Sequence, residues 1–236
     1  MQTSKILTKI HKWLALIVGI QLFLWVLGGL VMSWFPIEIV RGEHNISERE
    51  SISLPADDIL LPVVDILLSI GAVNRIALKS LAGKPTYQIL TADDNTLLLD
   101  ANTGEVISPL SEELALQIAN SDFSGNAGNV SATMIEETNA EYRGLIPVWQ
   151  VVMGDDEDTR LYVSPLTGDV IARRNDTWRL FDFFWMLHIM DYENRTDFNN
   201  PLVITASILA LVATISGIWL IFYRFTRRDF RWLGFK

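Results

Sequence analysis

Three histidines, His11, His44 and His188, are the side chains best suited to chemistry near neutral pH. An imidazole can exchange a proton at about pH 5 to 8 or give a ring nitrogen to a metal. Cysteine is absent, so disulfides, thiolate metal sites and cysteine nucleophiles are excluded. The chain has no Gly-x-Ser-x-Gly, no His-Glu-x-x-His, no phosphate loop and no nicotinamide or flavin fingerprint. No catalytic residue can be assigned, and an enzyme acting alone is not expected. The acidic run Gly154-Asp-Asp-Glu-Asp-Thr159 offers oxygen ligands but lacks the spacing of a calcium loop. It reads as a solvated hairpin tip, and no metal site is expected. His44, in the polar stretch from Arg41 to Glu50, has nothing at metal-ligand spacing beside it and reads as a solvated loop residue.

His11 and His188 stand at the edges of apolar segments. Residues 13–35 and 201–223 carry no Lys, Arg, Asp or Glu, and each is long enough to cross about 30 Å of hydrocarbon. Both read as spanning helices. A cleaved signal peptide is not expected, because the first run is too long and ends in the bulky Met32-Ser-Trp-Phe-Pro36. The tail 1–12 holds Lys5, Lys9 and Lys12 with no acid, and the tail 224–236 holds five basic residues against Asp229. Both tails are therefore expected in the cytoplasm, with the middle domain on the opposite side. That middle carries 11 basic and 27 acidic residues, a net of −16, which argues against a nucleic-acid partner.

Stepping along one face of the first span from His11 reaches Ala15, Gly19, Leu22, Val26 and Gly29, a stripe holding most of its small residues. It reads as a packing face; a histidine among lipid headgroups is the other reading. Gln21, mid-span, could hydrogen-bond to a partner helix. In the second span, Ala206, Ala210, Ala213 and Gly217 form a similar stripe, able to pack against the first span or against a second copy. The hydroxyls of Thr205, Ser207, Thr214 and Ser216 can each be satisfied on their own helix and decide nothing. His188 lies in the aromatic segment 178–192, too short to span and rich in residues that favour a membrane surface. Phe181, Phe184 and Trp185 share its helical face, and the alternative to a ligand there is an interfacial helix whose histidine meets headgroups.

Between the spans the sequence repeats itself. Tyr87-Gln-Ile-Leu through Leu97-Leu-Leu-Asp-Ala-Asn-Thr-Gly104-Glu-Val-Ile107 aligns with Trp149-Gln-Val-Val through Leu161-Tyr-Val-Ser-Pro-Leu-Thr-Gly168-Asp-Val-Ile171. Each copy predicts three β runs, the last two joined by a Thr-Gly turn whose Gly supplies positive φ. A helix is expected before each copy: residues 59–70, capped by Asp57 or Asp58, and residues 114–118, opened by Ser111. The expected fold is an α+β membrane protein, with two transmembrane helices flanking two helix-and-meander repeats, 36–110 and 111–177.

A helix followed by strands that end in an Asp-x-x-Thr-Gly-x-Val-Ile turn resembles the PepSY domain. Ile10-His11-Lys12-Trp13-Leu14-Ala15-Leu16, Trp185-Met-Leu-His188 and Ser216-Gly217-Ile-Trp219 resemble the PepSY-associated transmembrane family. The resemblance covers nearly the whole chain and implies a bacterial inner-membrane protein with a periplasmic middle domain. Larger relatives have more spans. Members of this kind resemble b-type cytochromes and ferric or ferrisiderophore reductases, which implies haem b held by His11 and His188. The first span is about 34 Å long, so its two ends cannot serve one iron. Pairs of His11 and of His188 in a homodimer could hold two haems across the lipid bilayer. The other function open to the sequence is a non-redox anchor, whose PepSY modules bind or restrain a periplasmic partner such as a peptidase at an exposed strand edge.

Overall fold

A computed structural model describes residues 2–48 and 60–224. The apolar segment near the N-terminus lies within helix α1 (Gln2–Trp34), and the second forms α6 (Pro201–Arg224). Their apolar stretches, Thr8–Trp34 and Pro201–Ile221, have mean hydropathies of 2.4 and 2.2. Side chains such as Ile17, Ile20, Phe23, Ile208 and Leu211 are more than half exposed, as lipid-facing positions must be. These helices flank a mixed region with two antiparallel sheets, so the chain is an α+β membrane protein. Two compact units separate: residues 1–35 with 180–236, and residues 36–179.

The second unit begins with α2 (Ile37–Val40) and a 3-10 turn, Glu43–Asn45. The next helix, α3, runs Val63–Ile70, four residues later than its apolar run predicts. Leu61 is held to the sheet instead: its N–H donates to the Ala101 carbonyl at 2.8 Å, and its own carbonyl accepts from the Tyr87 hydroxyl at 3.0 Å. Pro62, in extended geometry, stands at the N-cap and fixes the start. The expected caps Asp57 and Asp58 lie outside the described residues.

Strands β1 (Val73–Leu81), β2 (Lys84–Thr91) and β3 (Thr96–Asp100) form the first sheet in sequence order. The run expected after Gly104 is reduced to one bridge, Leu99 with Val106. Helix α4 (Glu112–Asp122) follows, with Ser111 Oγ accepting the Leu114 N–H at 3.3 Å, and it continues four residues past the expected end. The second sheet is β4 (Ser131–Ile135), β5 (Val148–Val152), β6 (Arg160–Val163) and β7 (Val170–Arg174), also in sequence order. The leading strands β1 and β4 lie outside the three β runs predicted for each copy.

The two Thr-Gly turns are built alike. Gly104 and Gly168 take φ of +75° and +70°, and their N–H groups donate to the carbonyls of Asp100 and Ser164 at 2.9 and 2.8 Å. One apolar core draws on both sheets and α4, through Leu81, Leu98, Ile118, Val151, Leu161 and Val163. A smaller core packs Ile66 of α3 on Tyr87, Ile89 and Leu99. Close-packed interiors of this kind hold the hairpin tips and edge strands in fixed positions.

Helix α5 (Asp176–Ile189) begins in this unit and ends in the other. In the membrane unit, Asn200 joins α5 to α6: its Nδ2 donates to the Ile189 carbonyl at 2.9 Å, and its Oδ1 accepts the Val203 N–H at 3.0 Å. Asp191 ties the intervening turn by accepting the N–H groups of Glu193, Asn194, Thr196 and Asp197. Those backbone bonds favour the carboxylate and lower its pKa to about 2. Asp182, almost fully buried, is paired with Arg195.

Candidate functional site

The face of α1 that is covered within the chain is not the small-residue stripe. His11, Leu14, Val18, Gln21, Trp25 and Gly28 are buried or half-buried, whereas Ala15 and Val26 are exposed. A Cβ at Gly19 or Gly29 would meet nothing within 4 Å. The covered positions step three and four residues with a seven-residue period (His11, Val18 and Trp25; Leu14, Gln21 and Gly28), as in left-handed helix pairs. On α6 the same period runs through Val203, Ala206, Ala210, Ala213, Gly217 and Leu220, with Ala210 and Ala213 buried. The small residues of α6 thus lie on the face packed on α1, while Ala15, Gly19 and Gly29 lie off it.

His11 sits in this helix pair. Its Nδ1 is 2.9 Å from Ser216 Oγ and 3.2 Å from the Ala213 carbonyl oxygen. Ser216 Oγ itself donates to that carbonyl at 2.8 Å, which leaves the hydroxyl a lone pair for the imidazole. Both oxygens near Nδ1 therefore act as acceptors, so the proton is assigned to Nδ1 and the lone pair to Nε2. Nε2 has no hydrogen bond among the described residues. The ring lies against Gly217, where a Cβ would stand 3.0 Å from His11 Cε1. Ser216 thus satisfies its own helix, as expected, and also orients His11, which sequence reasoning missed. The available signal was the seven-residue period, which aligns His11 with the Ala213 and Gly217 face.

His188 occupies a different level. A Cβ at Gly28 would lie 3.9 Å from His188 Nδ1, and the Trp25 ring is 6.3 Å from the imidazole. His11 and Gly28 are separated along α1 by about 25 Å. The two histidines are not brought together. His188 Nδ1, Trp25 Nε1 and Gln21 Nε2 are all buried without a hydrogen-bond partner. Trp185 on α5 turns instead to the following loop, donating to the Arg195 carbonyl at 3.1 Å and packing edge-on against Phe198.

The two histidines differ in what a haem ligand needs. A metal-bound imidazole is oriented by a hydrogen bond from its other ring nitrogen, and His11 has this bond, an Nε2 without a partner among the described residues, and a glycine beside the ring. His188 has a glycine beside it, but its Nδ1 finds no acceptor.

In the other unit, His44 is exposed and the acidic tip is a partly exposed turn, as expected, but the two make contacts that the sequence does not show. Glu157 Oε2 is 3.3 Å from His44 Nε2 and 3.4 Å from both Asn45 Nδ2 and Asn175 Nδ2. Asn175, fully buried, also donates to the Ile39 carbonyl at 3.0 Å. Asp155 accepts from the Thr159 N–H and hydroxyl, and Asp158 pairs with Arg160 and Arg179. The tip is therefore a clasp that holds residues 39–45 to residues 175–179. Glu141 completes the network by pairing with Arg160 and Arg179. Burial pushes its carboxyl up, but the hydrogen bond from Arg179 and the charges of Arg179 and Arg160 outweigh this and hold its pKa below 4.5. Desolvation at the sheet raises the Tyr162 hydroxyl above its usual value of 10.

Residues 8–236 match the family described as the PepSY-associated TM region. No curated protein and no solved structure shows significant similarity to the chain.

Proposed function

Since the chain belongs to the PepSY-associated TM region family, we propose that it is a membrane-held electron-transfer subunit carrying haem b at His11. The observation that carries this reading is the His11 imidazole, with Nδ1 tied to Ser216 and the Ala213 carbonyl and Nε2 without a hydrogen bond among the described residues. Ser216 fixes the ring's tautomer, Gly217 leaves room for it, and the apolar α1 and α6 surfaces exclude water. Bound haem would supply one-electron chemistry and accept or pass an electron within the bilayer. Each chain offers one histidine at this level, so His11 of a second copy would serve as the other ligand. His188 lacks an acceptor for Nδ1 and is the poorer ligand. The tails are cytoplasmic in this reading, and residues 36–179 face the periplasm, where a redox partner takes the electron.

The test is an optical spectrum of the detergent-purified chain, oxidised and then reduced with dithionite. A sharp reduced α-band that is lost in His11→Ala and kept in His44→Ala is the expected result. Absence of Soret absorption in protein from haem-replete cells overturns the reading and leaves a membrane-anchored PepSY module that binds a periplasmic partner.

A further inference from the structure

Within residues 36–179, a cavity of about 380 Å³ is lined by Arg41, Glu43, Ile46, Ile171, Ala172, Arg173, Arg174 and Trp178. Three arginines line it, in a unit of 10 basic and 23 acidic residues, a net of −13. Arg173 is paired with Asp122 and forms a wall. The Arg174 guanidinium lies 4.2 Å over the Trp178 ring, with Nε donating to the Glu141 carbonyl and Nη1 to the Arg173 carbonyl, each at 2.7 Å. Arg41 stands at the rim, 64% exposed, and is 3.7 Å from Glu43, itself 45% exposed. So long and open a pair is weak and gives up its cation easily. Ile46 and Ile171 add an apolar side to the same cavity.

The walls are fixed. Gly42, in left-handed geometry, brings its segment so close to β7 that a Cβ would lie 3.2 Å from Arg173 Cβ. The Asn175 bond to the Ile39 carbonyl and the clasp on Glu157 hold the same two segments. Arg41 is seven residues beyond the end of α1, and Trp178 is two residues before the part of α5 that belongs to the membrane unit. Arginine, tryptophan and aliphatic side chains at the ends of membrane segments match the headgroup layer.

We propose that this cavity seats the phosphate of an anionic phospholipid headgroup, with Arg41 closing on the phosphate oxygens and Ile46 and Ile171 against the glycerol end. Guanidinium supplies charge-assisted, bidentate bonds to phosphate. The apolar side distinguishes a lipid from a free anion.

The experiment is native mass spectrometry of the full chain released from mixed phosphatidylglycerol and phosphatidylcholine micelles. The expected result is retention of one phosphatidylglycerol per chain, weakened about tenfold by Arg41→Gln. Ile171→Glu, which places a carboxylate at an exposed position of the wall, weakens it similarly, and Arg75→Gln on exposed β1 leaves it unchanged. Equal retention of both lipids, or of phosphatidylglycerol in all three variants, overturns the proposal. Displacement of the lipid by millimolar inorganic phosphate also overturns it, by assigning the site to a free anion.

Discussion

Gly217→Ala and Gly19→Ala make a matched pair, because both replace a glycine inside a membrane helix and differ in what the new methyl meets. Each gains up to about 1 kcal/mol of helix propensity. At Gly19 the methyl finds nothing within 4 Å, while at Gly217 it stands 3.0 Å from His11 Cε1, 3.6 Å from Nδ1 and 3.8 Å from Nε2. Carbon atoms prefer about 3.5 to 4.0 Å, so the ring must withdraw by roughly half an ångström or more. The 2.9 and 3.2 Å distances from Nδ1 to Ser216 and Ala213 then lengthen past useful geometry. Losing that bond costs about 1 kcal/mol, and overpacking adds about 1 to 3 kcal/mol. After the propensity gain, Gly217→Ala should be destabilised by about 1 to 3 kcal/mol and Gly19→Ala should be neutral or slightly stabilised. Thermal unfolding in detergent reads the difference directly. In haem-loaded protein, Gly217→Ala should also shift or weaken the α-band while Gly19→Ala leaves it unchanged. Equal behaviour of the two variants in both assays would refute the placement of His11 against α6.

Other consequences concern the middle unit. Glu141 has its pKa lowered below 4.5, so its stabilising contribution is complete above that pH and is lost as pH falls through the folded value. Glu141→Gln should cost about 2 to 3 kcal/mol at neutral pH and flatten the acid limb of a stability profile measured by denaturant titration. Ser111→Ala removes the acceptor for the Leu114 N–H and should cost about 1 kcal/mol in the same titration. Glu157→Ala leaves His44, Asn45 and Asn175 facing one another without their shared acceptor. Hydrogen exchange should then rise in residues 39–45 and 175–179 together, and a rise in only one segment would contradict the clasp.

How much of this was legible in the sequence depended on the range of the interactions. The spans follow from uninterrupted apolar runs, and the Thr-Gly turns from a local need for positive φ. The packed face of α1 did not follow from residue size: Ala15 is small yet exposed and a Cβ at Gly19 would meet nothing, while His11, Gln21 and Trp25 are polar or large yet half-buried. A helix pair selects positions by period, and the seven-residue step was available but competed with the small-residue step. Strand β1 was hidden because Arg75 and Lys79 interrupt its apolar pattern. The roles of His44 and Glu157 depend on residues more than a hundred positions apart, which no local pattern can reveal. Helix α3 starts late because Leu61 is bound by strands that come after it in the chain.

The most direct test of the central claim is the haem-to-chain ratio of the purified protein, by pyridine haemochrome assay, for wild type, His11→Ala and His188→Ala. The account predicts about one haem for two chains, abolished by His11→Ala and unchanged by His188→Ala. No haem in any of the three, or a ratio that falls with His188→Ala and not with His11→Ala, would contradict it.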